Sequence, residues 1–390
     1  MNFDKPIISS LVLGAALAAE ACTSWVITPG SSASGLMMLQ KCRDQHRGNL
    51  EAEMMTPENG IRWMRIGADG DALFAINAKG VAYTTNNGNK LCKTKDKRKI
   101  TRFTINETMR LCASAPEAVE HIRKFYRDNR GRNPGGIYYI VDAGQAFMLD
   151  VGEAHFESHR FTDGVSVIAN AMHLPGNEEV SQQPLRKIRV QRAREANTRA
   201  ALAARRVNGK YTVRGTMDTS RLSANTSIME KILPFREGSL SAVCFEVDPE
   251  FPEMLSCAYI ALGPQRHTAY LPTPMALTQF PEKIRSGAWG DRAFRLHKIF
   301  GYNDYAGLAD ITKLEDGFIA EFAATRETAR KLLREGKRDE AAKLLNECYL
   351  RHYQQADKLL DELDKRFCKE KPQAPKAKKN KKAKAKKSKK

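Results

Sequence analysis

The cysteines of this sequence lack the pairing that marks metal centres. None of the eight belongs to a Cys-x-x-Cys pair, and histidines do not flank them in the spacing typical of zinc motifs. The sequence therefore predicts no metal site and no cofactor. It also lacks a run of the roughly 18–20 apolar residues that a membrane-spanning helix requires. Disulfides among the last seven cysteines and free thiols both stay open as alternatives.

Acidic residues are missing from the C-terminal end. Of the 19 net positive charges, eleven are lysines in residues 371–390, so the basic character belongs largely to this segment. Mutual repulsion predicts a disordered tail over 369–390. Without aromatic residues for stacking, specific nucleic-acid binding is not expected. Charge alone favours contact with an anionic cell-envelope polymer or lipid, with a purely solubilising tail as the alternative.

The N-terminal residues have the pattern of a secretory signal peptide. Lys5 precedes an apolar run over residues 7–19, and Ala19 and Ala21 supply small residues at −3 and −1 of a cleavage site. We expect 1–21 to be removed during export to the periplasm or medium. A lipoprotein signal is disfavoured by Glu20 at −2. The remaining alternative is a buried first helix followed by an incidental core thiol.

Cleavage at that site makes Cys22 the first residue of the mature chain. Its own α-amine, with an ordinary pKa of roughly 7.7–8.0, then lies close enough to accept the thiol proton. The thiolate is the reactive form of cysteine, and this arrangement needs no separate histidine base. The expected chemistry is hydrolysis of an amide through a thioester on Cys22.

The distribution of apolar residues predicts an α+β protein with antiparallel sheets. A hairpin is expected between Cys22 and Asp44, and one helix over residues 106–126. A basic helix at about 183–205 is interpreted as a solvated face. Further strands are predicted at 61–67, 72–77, 80–85, 137–142, 145–151, 165–170, 240–247, 256–262 and 268–271. Two long amphipathic helices are expected near 315–336 and 338–367.

Several segments together resemble a known family. The Cys-Thr-Ser start at 22–24 and the Lys-Cys-Arg-Asp run at 41–44 are similar to N-terminal-nucleophile cysteine hydrolases, among them choloylglycine hydrolases and penicillin acyltransferases. The segments 241–245, 261–264 and 349–353 narrow the resemblance to the dipeptidase A and secernin family. That resemblance implies a four-layer αββα sandwich over 22–310, with the nucleophile at the end of a central strand. Residues 311–368 are expected to form a helical C-terminal extension packed on it.

The resemblance also implies partners for Cys22. Asp44 matches an aspartate beside the nucleophile and its amine, where a carboxylate shapes the pKa of the ammonium. Lys41 is expected to contact substrate, although many relatives have arginine there. Lysine lacks the planar fork that binds a carboxylate through two bonds. Cys42 also departs from the family, because relatives often have asparagine at this position.

Side-chain amides are the expected oxyanion donors. Asn87 matches a family asparagine. The neighbouring Asn86 is the alternative for that position and is expected to contact substrate. Asn170 matches a second family asparagine. His173 is expected to line the pocket. Arg221 or Arg236 is expected to match a family arginine, and the sequence does not decide between them.

These features predict an exported cysteine amidohydrolase of linear amides. A small peptide is the expected substrate, with other N-acyl amides next, and the family resemblance favours a dipeptidase. An acylase or acyltransferase, in which an amine replaces water, stays open. A catalytically inactive surface-binding protein on the same scaffold is the alternative of a different class. A homo-oligomer is also left open.

Overall fold

A computed structural model describes residues 22–44, 50–68, 71–87, 99–128, 136–151, 156–175, 184–223, 232–235, 238–301 and 307–368. The expected signal peptide, the lysine-rich tail and Arg236 lie outside these residues. Within them, no helix has the length and apolar character that crossing a membrane requires.

Thirteen strands lie in the described ranges. They are β1 (Thr23–Ile27), β2 (Met37–Asp44), β3 (Leu50–Met55), β4 (Trp63–Ala68), β5 (Asp71–Asn77), β6 (Ala82–Asn87), β7 (Gly136–Val141), β8 (Ala146–Val151), β9 (Phe156–Phe161), β10 (Val165–Ile168), β11 (Ser239–Val247), β12 (Cys257–Leu262) and β13 (Leu271–Pro274). They form two sheets with antiparallel pairing throughout. The first has the order β10-β1-β2-β11-β12-β13, and the second is a meander from β3 to β9.

Nine helices accompany the sheets in the described part of the chain. They are α1 (Lys99–Leu111), α2 (Ala115–Asp128), α3 (Leu185–Ala204), α4 (Val213–Ser220), α5 (Pro252–Leu255), α6 (Glu282–Arg285), α7 (Ala288–Phe300), α8 (Gly307–Arg334) and α9 (Arg338–Cys368). Gly336, whose φ is +77°, separates the last two, as the sequence predicted.

Strand alternation builds the layers. On β1, Val26 packs into the core between the sheets, whereas Trp25 and Ile27 pack on the opposite face with residues of the C-terminal helices such as Phe322. A third core lies between the second sheet and helices α1 and α2. The order of layers is therefore helix, sheet, sheet, helix, which confirms the predicted α+β four-layer sandwich. Helices α8 and α9 supply much of one outer layer.

The helix predicted over 106–126 is corrected to two. Helix α1 ends at Leu111, and α2 begins at Ala115. The Asn77 side chain donates a hydrogen bond to the carbonyl of Cys112, and Pro116, four residues later, has no N–H with which a continuous helix could bond that carbonyl. The break therefore arises from a side chain on another strand and from proline.

The last predicted strand is also displaced. Residues 268–270 are a buried connection, and β13 begins at Leu271. The turn that precedes it includes a hydrogen bond from the His267 N–H to the Pro264 carbonyl, 2.8 Å long. Gly263 there has φ of +111°, and a Cβ would lie 2.3 Å from that of Ala293, so no other residue fits. Strands β3 and β9 and the short helices α4, α5 and α6 were not predicted.

Candidate active site

Cys22 lies at the start of β1, between two neighbouring strands. The β1–β10 ladder ends with Ser24 paired to Ile168, so Cys22 and Asn170 each lie two residues beyond its last pair, at the same end of the ladder. Because side chains alternate along a strand, Cys22 shares the face of Ser24 and Val26, which points towards the second sheet. The thiol is free and almost fully buried.

Lys41 places a buried ammonium beside this thiol. It pairs with Ser24 in the β1–β2 register and points in the same direction. Its Nζ donates to the Thr85 carbonyl at 2.5 Å and to Asn86 Oδ1, both on β6 of the second sheet. Cys22 is close enough for its side chain to act on the pKa of the Lys41 ammonium, in the direction of raising it.

The surroundings oppose the charge on Lys41. Complete burial lowers the pKa of its ammonium, while the neighbouring Cys22 and Asp44 act in the opposite direction and Arg43 adds to the lowering. The structure therefore puts a buried amine, whose charged form is disfavoured by desolvation, next to the Cys22 side chain.

Asn86 joins four strands at the site. Its Oδ1 accepts hydrogen bonds from Lys41 and from Ser24 Oγ at 2.7 Å. Its Nδ2 donates to the carbonyls of Ile168 and Ala169 at 3.3 and 2.7 Å. These bonds occupy both ends of the amide. Asn86 therefore positions the residues around Cys22 and is not itself placed to donate to a substrate oxygen.

Asn87 and Asn170 meet through the backbone. Asn170 Nδ2 donates to the Asn87 carbonyl at 2.8 Å. Strand alternation turns the Asn87 side chain to the face of β6 shared by Tyr83, which packs against α1 and α2. The structure therefore brings Asn170 and Asn86 to the Cys22 side of the sheets, and it favours them over the Asn87 side chain.

Asp44 lies at the end of β2. Its Oδ1 accepts a 2.7 Å hydrogen bond from Ser239 Oγ on β11, where the ladder register shifts between Ser239 and Ser241. A register irregularity of this kind redirects side chains at a strand end. The negative charge of Asp44 raises the pKa of Lys41 and also that of Cys42.

Cys42 points away from Cys22. It packs in the core between the first sheet and the helices, on the face shared with Trp25. Burial, reinforced by Asp44, raises the pKa of the Cys42 thiol far above its usual range. This thiol therefore stays protonated, although the charge of Lys41 acts in the opposite direction.

The segment that carries Asn170 is tied down by two carboxylates. Asp150 accepts hydrogen bonds from the backbone N–H groups of His173 and Leu174, the second at 2.7 Å. Glu195 on α3 accepts from the Ala169 N–H at 2.9 Å and lies 3.0 Å from His173 Nε2. Asp150, His173 and Glu195 therefore form an anchoring cluster that holds the backbone on both sides of Asn170. The described hydrogen bonds of the His173 ring do not reach Cys22.

The anchoring cluster has an electrostatic cost. Burial raises the pKa of Asp150 despite its backbone hydrogen bonds. Burial also acts to raise the pKa of Glu195, but His173 and Arg192 outweigh it and hold that pKa below its usual value. Sequence analysis identified neither carboxylate, because each is distant in sequence from the residues that it binds.

Arg221 is committed to the C-terminal helices. Its guanidinium donates to both carboxylate oxygens of Glu315 on α8, at 2.8 and 2.6 Å, and to the Gln265 carbonyl. Arg221 is therefore part of a buried ion pair, whereas Arg236, the other arginine that the resemblance suggested, lies outside the described residues.

Ser24 was not predicted as a site residue. The alternation of side chains along a strand places it on the same face as Cys22, and this period of two could have revealed it.

These features define an α+β sandwich protein whose site contains a thiol, an ammonium and two side-chain amides. The strands that carry these groups face the layer between the two sheets. The thiol comes from the first residue before β1, and the ammonium from β2. One amide comes from β6 of the opposite sheet, and the other follows β10.

Two solved structures are similar to part of the chain. An N-acylethanolamine-hydrolyzing acid amidase ortholog from Caenorhabditis elegans has a TM-score of 0.40 at 10% identity, over 59% of this chain and 95% of that one. A mutant conjugated bile acid hydrolase from Clostridium perfringens has a TM-score of 0.37 at 12% identity, over 61% and 88%. No family model matches the chain, and no curated protein matches it.

Proposed function

We propose that the chain is an amidohydrolase whose nucleophile is the thiolate of Cys22. The observation that carries this proposal is the fully buried Lys41 side chain beside Cys22, with its Nζ held by the Thr85 carbonyl and Asn86 Oδ1. A nearby positive charge favours the thiolate, which is the attacking form of cysteine. Asn170, two residues beyond the same end of the β1–β10 ladder, supports the proposal as a nearby amide donor.

The proposed reaction begins with the removal of residues 1–21, which frees the α-amine of Cys22. The amine takes the thiol proton, and the thiolate attacks the substrate carbonyl carbon. As the C–N bond breaks, the leaving nitrogen takes that proton, which leaves a thioester on Cys22. Water then gives a proton to the amine while its oxygen bonds to the acyl carbon. The C–S bond breaks, the acid leaves, and the sulfur takes the proton back from the amine, which restores the thiol.

Each neighbour has a role in this scheme. Lys41 stabilises the thiolate by its charge, which is a role towards the nucleophile rather than towards a substrate carboxylate. Asp44 is proposed to hold the protonated α-amine, since its charge already acts on Lys41. Asn170 is proposed to donate to the oxygen of the tetrahedral intermediate, where one donor contributes about 3 kcal/mol.

The proposed substrates are small linear peptides, and the proposed activity is that of a dipeptidase. The support for this narrower choice is the sequence resemblance of segments 241–245 and 349–353. An acylase or acyltransferase would use the same thioester, and an amine acceptor in place of water would distinguish the transferase. We also propose that the enzyme is exported, with its lysine-rich tail on an anionic envelope polymer or lipid.

A single added residue tests the role of the α-amine. We expect a chain that begins at Cys22 to hydrolyse members of a dipeptide and N-acyl amide panel. The same chain with one glycine before Cys22 should have kcat/KM lower by about 100-fold or more, because its amine is then a non-basic peptide nitrogen. Mass spectrometry of the exported protein establishes which N-terminus occurs.

The glycine-extended chain retains every side chain of the site, so it is a matched control for folding. Equal activity of the two chains would contradict the proposed base. Export with an N-terminus other than Cys22, or with a lipid on Cys22, would exclude the scheme. Absence of turnover by both chains across the panel would favour the binding-protein alternative.

Replacement of Asn170 by alanine tests the oxyanion donor. We expect kcat to fall by about 10²–10³-fold with little change in KM, because the lost hydrogen bond forms mainly in the transition state. Steady-state kinetics on the best substrate of the panel measure this. The Asn87→Ala protein tests the competing assignment, and a larger loss of kcat there than in Asn170→Ala would refute ours. Asn346→Ala, remote on α9, is the control.

A further inference from the structure

A thiol, an imidazole and a carboxylate meet in the seam between the last two helices. Cys348 and His352 are four residues apart on α9, so they lie on one helical face, and both are fully buried. Glu321 faces them from the antiparallel helix α8. One ligand atom from each residue lies within 4.8 Å of the other two.

We propose that Glu321, Cys348 and His352 bind a zinc ion that joins α8 to α9. This site lies outside the machinery proposed around Cys22. The sequence predicted no metal site because the cysteines are unpaired. The third ligand comes from another helix, 27 residues before Cys348 in the chain, and only the fold brings it near.

The distances agree with a tetrahedral zinc site. Bond lengths of about 2.3 Å to sulfur and 2.0–2.1 Å to nitrogen and oxygen give ligand-to-ligand edges of about 3.6 Å for S···N and 3.4 Å for N···O. The corresponding distances here are 3.7 Å from Cys348 Sγ to His352 Nε2 and 3.1 Å from His352 Nε2 to Glu321 Oε2. An ion fits after small side-chain movements.

The imidazole of His352 contacts both of the other side chains. Cys348 Sγ lies 3.9 Å from Nδ1 and 3.7 Å from Nε2, and Glu321 Oε2 lies 3.1 Å from Nε2. A hydrogen-bonded chain would use Nδ1 to accept from the thiol and Nε2–H to donate to the carboxylate. A zinc ion would instead be shared by Sγ, Nε2 and Oε2, and metal titration distinguishes the two.

Neighbouring side chains orient the ligands. Arg351 donates twice to Glu321 Oε1, at 3.1 and 2.7 Å, which leaves Oε2 directed at His352. The Phe318 ring stacks on the His352 ring with centroids 4.4 Å apart. Partners of this kind fix carboxylate and imidazole ligands in metal sites. Thiolate and imidazole together favour zinc over magnesium or calcium, and water is the expected fourth ligand.

Metal titration of the full chain tests the proposal. The protein is first treated with a chelator, and Zn²⁺ is then titrated in competition with a chromophoric chelator. We expect one equivalent to bind in this way, and the Cys348→Ser and His352→Gln proteins to bind at least about 100-fold more weakly. Co²⁺ alone should give a sulfur-to-metal charge-transfer band that Cys348→Ser abolishes.

Two controls make the outcome decisive. Cys112→Ser removes a buried thiol elsewhere and should leave the affinity unchanged, and Cys22→Ala shows whether the ion binds at the nucleophile instead. Circular dichroism establishes that each variant is folded. Zinc should raise the melting temperature of the wild type but not of Cys348→Ser. No uptake by the wild type, equal affinity in Cys348→Ser, or loss of binding in Cys22→Ala would each overturn the proposal.

Discussion

Replacement of Cys22 by alanine is expected to abolish amide hydrolysis by the chain that begins at residue 22. The loss in kcat should be about 10⁴-fold or more, because removing a covalent nucleophile leaves only binding and oxyanion stabilisation. Little change in stability is expected, since the substitution removes one sulfur at the end of β1. Turnover of the best substrate measures the first expectation, and urea unfolding measures the second.

Mass spectrometry of the acyl-enzyme extends this test. Brief mixing with substrate followed by acid quench should show wild-type protein heavier by one acyl group, and Cys22→Ala unchanged. Cys42→Ala is the matched control, because its thiol lies one strand away but faces the helices. Its folded fraction should still form the adduct. An adduct in Cys22→Ala would mean that another residue is the nucleophile.

Strand periodicity made the centre of the site predictable. The sequence predicted the β1–β2 hairpin with Cys22 at one end and Asp44 at the other, and this is confirmed. The same alternation turns the side chains of Asn86 and Asn87 to opposite faces of β6. Which of these faces lies towards the layer between the sheets depends on how the sheets pack, so the sequence alone could not decide between the two asparagines.

Contacts between distant segments were not predictable. Glu195 binds the Ala169 N–H, and Glu315 binds Arg221, across separations of 26 and 94 residues. Such pairs leave no local period, because each of the two acids also fits the polar pattern of its own helix. The proximity of Glu321 to Cys348 was not predictable for the same reason. No pattern in a single sequence distinguishes these acids from solvent-exposed ones.

Replacement of Glu315 by glutamine is expected to lower the free energy of unfolding by about 3–5 kcal/mol at pH 7. Glu315 is fully buried on α8, and its Oε1 also accepts the Tyr270 N–H at 2.7 Å. Glutamine keeps the shape but leaves the buried charge of Arg221 uncompensated. Urea unfolding followed by circular dichroism measures the loss.

Asp316→Asn is the matched control for this loss. Asp316 is the next residue, its side chain is 58% exposed, and it lies 3.4 Å from Arg214. Solvent screens such a pair, so we expect a change below about 1 kcal/mol. A similarly small effect of Glu315→Gln would show that the Arg221–Glu315 pair does not hold α8 against the first sheet.

The pH dependence of the difference gives a second test of the same pair. Burial acts to raise the pKa of Glu315, but Arg221 and Arg214 outweigh it and hold the pKa below its usual 4.5. The stabilisation is therefore complete above the pKa of the unfolded chain and is lost as pH falls through the lower folded value. Since glutamine does not titrate, the gap between wild type and Glu315→Gln should be widest at neutral pH and narrow below about pH 4.5. A gap that stays constant down to pH 3 would mean that glutamine acts through packing rather than through the lost charge.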